Sequence, residues 1–405
     1  MHGADESDAG AMRAEVGAGH AAHSGDPARL GADVPGHRRG ALWQGVSRLG
    51  QLLPQARAAH ADPGPVLRRG RDAPLGRGPD GRLVRAARGE DTGSGPRFDL
   101  AIGPGGYAWW YIDAISADGR HGLTIIAFLG SVFSPYYKSS GRGDPLNHCS
   151  LNVALYGPSH RWVMHERPRG DVVRNRHDLS IGTSAVRWDG KLLEIDIEER
   201  DTRLFNPIHR RVAGTVRVYP EALNRASFAL DPGQNHIWHC MAPKARVEVE
   251  MAEPDLSWSG TGYFDHNRGR EPLETGFNVW HWSRAHMKRG AVVCYEGERG
   301  DGSVFASAIR FDAEAVPQEV DLPAIAALAP SKWRIERRTR SQIGVAQVRR
   351  TWEDTPFYAR SELASKLYGE EVVAVQESLD MRRFASGVVQ FMLPFRMPRR
   401  SVKGG

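Results

Sequence analysis

Hydrophobic and polar residues alternate with a period of two along most of the chain after Phe98, as is typical of β-strands. Two alternating segments, Tyr107–Ser116 and Leu123–Leu129, flank an Asp-Gly dipeptide at 118–119. A second Asp-Gly dipeptide, at 189–190, separates two more such segments. Asp-Gly is a strong hairpin signal because both residues accept the positive φ angles of a tight turn. The pattern therefore predicts a series of antiparallel hairpins.

Strand-like segments continue to the C-terminal part of the chain, while helical periodicity is scarce. The further predicted strands are Arg211–Val218, Ala245–Met251, Phe277–Ser283, Ala291–Glu296, Val304–Phe311, Gln347–Trp352 and Val372–Ser378. We predict one short helix, at Ser361–Tyr368. Many short strands between Gly and Pro turns indicate β-barrels or sandwiches. A break near Glu271-Pro272 divides this body into domains of residues 98–270 and 271–398.

The composition changes near Phe98. Residues 1–97 contain one aromatic residue, Trp43, and no Lys, and are dominated by Ala, Gly, Arg, Pro and Asp. Such a segment cannot bury enough apolar area to offset its ordering entropy, so we expect most of it to be disordered. Within it, Leu42–Leu53 carries apolar residues at helical spacing. This segment is either a transient helix without function or an interfacial membrane-binding helix.

The overall charge and the cysteines narrow the possible partners. The formal net charge is +6, but the excess is spread along the chain, and no Lys/Arg block is interleaved with aromatic residues. We therefore do not predict a nucleic-acid partner, whereas attraction to an anionic membrane surface fits at least as well. Cys149, Cys240 and Cys294 lie far apart without a CxxC pair, which favours free thiols in a reducing cytoplasm.

Two short segments hold the candidate chemistry. If both are extended strands, His236 and Trp238 share one face, as do Tyr263 and Asp265. Each segment then presents one proton-transfer group and one aromatic ring on the same side. We do not predict a metal site at His236, His239 and Cys240, because adjacent strand residues point to opposite faces. Alternatively, Tyr263 and Asp265 form an ordinary pair at the rim of a barrel.

This combination suits the hydration of an isolated alkene. A carboxylic acid in apolar, aromatic surroundings has a raised pKa and can deliver a proton at rest. Aromatic faces stabilise the resulting cation by roughly 2 kcal/mol or more once water is excluded. A neighbouring His or Tyr can then orient the water that adds. The chemistry needs no cofactor, and we predict none.

Long segments of the body resemble the carotenoid 1,2-hydratases of purple photosynthetic bacteria, also called hydroxyneurosporene synthases. The resemblance extends from about Phe98 to Pro398 and leaves residues 1–97 uncovered. The segments that carry it are GGYAWWYIDAISADGRHGLTIIAFLGSVFSPYY, GRGDPLNHCSLNVALYG, IGTSAVRWDG and residues 236–269.

The resemblance implies an all-β fold with two lipocalin-like (calycin-type) β-barrel units in one chain. It implies a cofactor-independent hydro-lyase that adds water to the terminal C1=C2 double bond of acyclic carotenoids such as neurosporene and lycopene. Because these substrates dissolve in membranes, we expect peripheral association with the cytoplasmic side of the inner or intracytoplasmic membrane. Two rivals stay open: a carotenoid carrier without catalysis, and an isomerase or pericyclase on the same fold.

The resemblance also maps the family's functional positions onto His236, Trp238, Tyr263 and Asp265. We predict that Asp265 is the general acid and that His236 hydrogen-bonds to it or relays its proton. Trp238 and Tyr263 would flank the cation, or Tyr263 would orient the water. The residues that we expect to line the polyene channel are Trp110, Tyr111, Trp280 and Trp282. Alternatively, Trp258, Trp280 and Trp282 are simple core.

The apolar segment Val388–Phe395 precedes a basic C-terminus. It is either an interfacial membrane foot, with Arg396, Arg399, Arg400 and Lys403 at its edge, or the last strand of a barrel followed by a solvated tail. We favour the strand.

Overall fold

Strands make up most of the chain that the computed structural model describes, which comprises residues 81–86, 95–203 and 206–402. The expectations for Trp43 and for Leu42–Leu53 concern residues outside these ranges. Residues 81–86 lie within the segment 1–97 that we expect to be mostly disordered, but they include a short strand at Val84–Arg85 that pairs with Phe228–Ala229.

The first sheet contains 13 antiparallel strands. Its strands are β1 (Val84–Arg85), β2 (Tyr107–Ser116), β3 (Gly122–Leu129), β4 (Cys149–Tyr156), β5 (Arg161–Arg167), β6 (Val172–Arg174), β7 (Asp178–Ile181), β8 (Ser184–Trp188), β9 (Leu193–Arg203), β10 (Asn206–Pro220), β11 (Phe228–Ala229), β12 (His236–Glu253) and β13 (Leu256–Gly269). Along its main path the order is β5-β4-β3-β2-β13-β12-β10-β9-β8-β7-β6. The sheet curves until β5 meets β9, where Glu199 binds His165 at 2.8 Å and Arg167 at 2.9 Å. It is a nearly closed barrel.

The second sheet contains seven strands and is accompanied by a two-stranded hairpin. The strands are β14 (Phe277–His286), β15 (Ala291–Arg299), β16 (Val304–Phe311), β17 (Pro317–Val320), β18 (Ala324–Leu328), β19 (Arg337–Ser341), β20 (Gln347–Asp354), β21 (Tyr358–Leu367) and β22 (Glu370–Asp380). Their order is β17-β16-β15-β14-β22-β21-β20, and β18 pairs with β19. The first sheet thus ends at Gly269 and the second begins at Phe277. The division into domains at 270/271 and a second complete barrel stay predictions.

The all-β prediction is confirmed, and both Asp-Gly dipeptides form turns in which Gly119 and Gly190 have positive φ. The helix predicted at Ser361–Tyr368 is wrong. All of that segment except Tyr368 belongs to β21, whose hydrogen bonds to β20 and β22 on either side override the helical propensity of its Glu, Leu and Ala residues.

The prediction of a last strand at Val388–Phe395 is also wrong, because this segment is helical. The helices are α1 (Pro135–Ser139), α2 (Leu273–Gly276), α3 (Met381–Ala385) and α4 (Gly387–Arg396). None of the helices within the described residues is long and apolar enough to cross a membrane.

The two faces of the first sheet differ in character. Inside the barrel the core is largely aliphatic, with residues such as Ile112, Val153 and Val247. The outer face of β2, β12 and β13 packs against the second sheet in an aromatic core that includes Tyr263 and Trp282. Because side chains alternate along a strand, successive buried apolar residues of β2 or β13 face different cores.

Candidate active site

Strand register brings three of the four predicted catalytic side chains together in the aromatic core. Tyr263 and Asp265 are two residues apart on β13 and point the same way. Trp238 lies on the neighbouring strand, opposite Asn267. Its Nε1 donates to Asp265 Oδ2 at 3.1 Å and to the Tyr263 hydroxyl at 3.2 Å.

The Asp265 carboxyl group receives its hydrogen bonds from uncharged donors. The Tyr263 hydroxyl donates to Oδ2 at 2.8 Å, beside the Trp238 indole. Asn267 Nδ2 donates to Oδ1 at 3.1 Å. The side chain is buried, and among the described residues no Lys or Arg pairs with it.

This environment favours the protonated acid. Burial raises the pKa of Asp265 to about 8, although the hydrogen bonds from Tyr263 and Trp238 act in the opposite direction. The negative charges of Glu377 and Asp113 add to the rise. At neutral pH the carboxyl group therefore carries a proton that it can donate.

Asn267, which sequence analysis missed, supplies a partner for that proton. Its Oδ1 is buried and has no hydrogen-bond partner among the described residues. A half-turn of the amide exchanges Oδ1 with Nδ2, so that Oδ1 can accept the O–H of protonated Asp265. The available signal was its position, two residues beyond Asp265 on the same strand face.

Aromatic rings from both sheets surround the Asp265 carboxyl group. The ring of Tyr263 lies 5.2 Å from that of Trp282 and 6.2 Å from that of Tyr111, between centroids. Trp238 packs against Tyr295 at 5.4 Å. Trp282 Nε1 has no hydrogen-bond partner within the described residues, so this indole contributes its ring alone. Such faces can stabilise a cation formed beside the acid.

His236 lies away from this group. Cys240 is the β12 residue that pairs with Asp265, and His236 precedes it by four residues. At the rise of a β-strand this is a separation of about 13 Å. The Tyr107 hydroxyl contacts its Nδ1 at 2.8 Å, and Glu271 contacts its Nε2 at 3.1 Å. Both ring nitrogens are thus engaged, and the predicted direct hydrogen bond to Asp265 does not form. Burial lowers the pKa of His236, and a relay role for it stays a prediction.

A cluster of buried charges that sequence analysis also missed lies beside the rings. Arg284 donates to Asp113 Oδ1 through Nε at 3.0 Å and Nη2 at 2.8 Å. Arg360 donates to Asp113 Oδ2 at 2.7 Å and pairs with Glu377. The Tyr111 hydroxyl donates to Glu377 Oε1 at 2.7 Å. Two carboxylates and two guanidinium groups cancel in charge, which is how ionised groups persist in an interior.

Comparison with known proteins identifies the family. The model of the family described as carotenoid hydratase CrtC matches residues 125–404. The chain belongs to this family. The acyclic carotenoid 1,2-hydratase of Thiocapsa roseopersicina is 48% identical over 380 residues, covering 92% of this chain and 93% of the relative. That of Rubrivivax gelatinosus is 44% identical over 390 residues, covering 94% and 95%. That of Cereibacter sphaeroides is 37% identical over 278 residues, covering 68% and 98%.

Three of the four side chains predicted to line the channel of this carotenoid hydratase family member lie in the aromatic core: Tyr111, Trp280 and Trp282. Trp110 does not. It lies inside the barrel, against Phe98 at 4.8 Å and His266 at 5.1 Å. Trp110 and Tyr111 point to opposite faces of β2, as adjacent strand residues do, so they lie in different cores. Contact of Trp110 with a polyene stays a prediction. For the other three, contact with a polyene stays a prediction.

Proposed function

We propose that this chain is an acyclic carotenoid 1,2-hydratase, a hydro-lyase that adds water across the terminal C1=C2 double bond with Asp265 as its general acid. The observation that carries the mechanism is a buried carboxyl group that has only uncharged donors and stays protonated near neutral pH. Membership of the carotenoid hydratase family, and the names of relatives at 44–48% identity, support the reaction and the substrate class.

The reaction begins with proton transfer from Asp265 to C2. The electron pair of the double bond forms the new C–H bond, and C1 becomes a tertiary cation. Asp265 is left as a carboxylate, to which Tyr263 and Trp238 already donate hydrogen bonds. Those bonds strengthen as negative charge develops, so the site stabilises the product of the proton transfer more than the starting acid.

The cation is held among aromatic rings until water adds. The ring centroids of Tyr263, Trp282 and Tyr111 lie 5.2 to 6.2 Å from one another, and aromatic rings at this range stabilise a cation. A water oxygen then bonds to C1 and loses a proton, giving the tertiary alcohol. Each step uses side chains of this chain and water.

The reaction can be tested by incubating the purified protein with lycopene or neurosporene in oxygen-18 water under anaerobic conditions without added cofactor. We expect a tertiary alcohol that carries the label. Unchanged carotenoid bound to folded protein would instead indicate a carrier. An unlabelled isomer would indicate an isomerase or pericyclase. Either result would overturn the proposed function.

We also propose that the protein associates peripherally with the cytoplasmic side of the inner or intracytoplasmic membrane, through α4. On one side of this helix Phe391 is 71% exposed and Val388 is 69% exposed, and the Phe395 ring packs on Phe391. On the other side Val389 and Leu393 are buried in the aromatic core of the candidate site. The helix therefore connects an exposed apolar surface to the core in which the substrate would react.

The basic residues near α4 have different roles from those expected of a membrane foot. Arg396 stacks over Trp162 at 3.9 Å, and Arg399 pairs with Glu166. These contacts fasten the helix to the first sheet, whereas Arg400 is exposed and available for anionic headgroups. Lys403 lies outside the described residues.

Flotation with phosphatidylcholine vesicles containing phosphatidylglycerol tests this surface. The double substitution Phe391→Ser and Phe395→Ser should reduce the bound fraction at least about tenfold, because each buried Phe contributes roughly 1.5–3 kcal/mol. Val173→Ser is a matched control, since Val173 is equally exposed at 72% but lies on β6. Undiminished binding of the double variant, or equal loss in the control, would exclude α4 as the contact.

A further inference from the structure

Glu377 is a carboxylate that is held through one oxygen. Arg360 pairs with Oε1, and the hydroxyls of Tyr111 and Tyr358 donate to the same oxygen at 2.7 and 2.9 Å. All the hydrogen bonds described for Glu377 end on Oε1. Its side chain is 13% exposed, whereas that of Arg360 is 2% exposed. Oε2 is therefore open to a small molecule such as water.

The strand register places Glu377 across the aromatic group from Asp265. Glu377 lies opposite Trp282 in the β14–β22 pair, and Tyr111 lies opposite Asp265 in the β2–β13 pair. The rings of Tyr111 and Trp282 are 5.6 Å apart. The two carboxyl groups thus approach the same rings from the two facing sheets, one protonated and the other paired with a guanidinium group.

Hydration needs two proton transfers of opposite sense, and we propose that Glu377 performs the second. In this inference, which rests on the proposed function, Glu377 Oε2 accepts the proton of the water molecule that adds to C1. A pair of groups whose environments favour opposite protonation states is the arrangement that an acid and a base require. Asp265 supplies the acid, and Glu377 supplies the base.

The protons balance over one cycle. Asp265 gives its proton to C2, and the π electrons form the C–H bond. The water oxygen forms the C–O bond to C1 and releases one proton to Glu377. Glu377 then loses that proton to solvent and Asp265 regains one, so that the carotenoid and one water molecule are the only species consumed.

Positively charged guanidinium groups lie beside Glu377 and its neighbour Asp113. Arg360 binds both Glu377 and Asp113. Arg284 binds Asp113 as well and supplies the second positive charge. The groups that face Glu377 and titrate or carry charge are Tyr111 and Asp113 on β2, Asp265 on β13, Tyr295 on β15, Glu353 on β20, and Tyr358 and Arg360 on β21.

Comparison of Glu377→Gln with the wild type over a range of pH tests the assignment. We expect kcat to fall about 100-fold with little change in KM, because the substitution keeps the shape and removes the base. The acid limb of the pH profile, which reports the loss of a catalytic base, should disappear. The alkaline limb should move to lower pH, since losing a negative neighbour lowers the pKa of Asp265.

Glu353→Gln is the matched control. Glu353 lies on β20, two strands away from Glu377 in the same sheet. It accepts the Tyr156 hydroxyl at 2.7 Å, the same length as the Tyr111–Glu377 bond. This variant should keep both limbs and a rate within about twofold of the wild type. A Glu377→Gln enzyme with wild-type rate, or one that loses rate but keeps both limbs, would overturn the proposal, since the second result is what a purely structural role produces.

Tyr111→Phe provides a second test of the role of Glu377 if Glu377→Gln does not fold. It leaves the Arg360–Glu377 pair in place and removes one hydrogen bond from the carboxylate. The acid limb should then move to higher pH, because the ionised form of Glu377 loses a donor. A limb that does not move would contradict the proposal. If the wild type itself forms no labelled alcohol, the proposed function fails first and this inference fails with it.

Discussion

Asp113 and Asp265 are two buried aspartates on neighbouring strands and on the same face of the first sheet. Their carboxyl groups are nevertheless stabilised in the interior in opposite ways. Asp113 is completely enclosed and binds Arg284 and Arg360. Asp265 lies two pairs further along the β2–β13 register, and its described donors are Tyr263, Trp238 and Asn267. Two guanidinium groups balance the charge of Asp113, whereas Asp265 stays neutral by keeping its proton.

This difference gives Asp113 a structural role and Asp265 a chemical one. The Asp113 cluster joins β2 of the first sheet to β14 and β21 of the second, so its charges hold the two sheets in register. Asp265 has no cation to hold and is free to change its protonation state. The substitutions below should therefore act mainly on stability at Asp113 and on activity at Asp265.

Asp113→Asn should produce the largest loss of stability. It leaves Arg284 and Arg360 with one fewer negative charge in a dry interior, for which the expected loss is about 3–5 kcal/mol in the free energy of unfolding. Urea denaturation measures this. Asp99→Asn is the comparison, because Asp99 pairs with Arg97 at 3.0 Å near the surface. Equal losses in the two variants would contradict the structural role of Asp113.

The dependence of stability on pH should differ between the wild type and Asp265→Asn. Folding raises the pKa of Asp265 from 3.8 to about 8, so the folded state holds one more proton than the unfolded state between these values. This contribution to stability is complete below the lower pKa and falls by about 1.4 kcal/mol per pH unit at most as pH rises towards the upper one. Denaturation at several pH values measures the free energy of unfolding of the wild type and of the variant. The difference between the two should show this slope. If the free energies of unfolding of the two proteins changed in parallel with pH, Asp265 would be ionised in the folded protein.

Trp282→Phe should have a smaller effect, on activity alone. Phe presents a weaker face to a cation, so we expect a loss of about fivefold in rate. No described hydrogen bond is lost, because Trp282 Nε1 has no partner within the described residues. Trp110→Phe, on the opposite face of β2, should leave the rate unchanged. A greater loss at Trp110 than at Trp282 would place the chemistry inside the barrel instead.

The sequence predicted local structure well where the signal was local. The strands Tyr107–Ser116, Ser184–Trp188 and Val304–Phe311 have the predicted bounds, because alternation and Asp-Gly turns depend on residues that are close in the chain. The segment at 361–368 was misassigned because its neighbours in the sheet, and not its own propensity, decide its state.

The candidate site was predictable only in part, for the same reason. Alternation on β13, together with family resemblance, located Tyr263, Asp265 and Trp238. The same rule, applied to Trp110 and Tyr111, would have separated them. Asp113 stands out as a carboxylate in an apolar strand, but its partners Arg284 and Arg360 are 171 and 247 residues away. Contacts of that range come from the packing of the two sheets, which the sequence pattern does not encode.

The rate at which Asp265→Asn forms labelled tertiary alcohol from lycopene in oxygen-18 water tests the central claim most directly. Asn keeps the size of the side chain and an acceptor for Tyr263 and Trp238 but has no acidic proton. We predict a loss of about 100-fold or more in a variant that still folds and unfolds cooperatively. A folded variant that keeps more than a few per cent of the wild-type rate would show that the proton comes from another group.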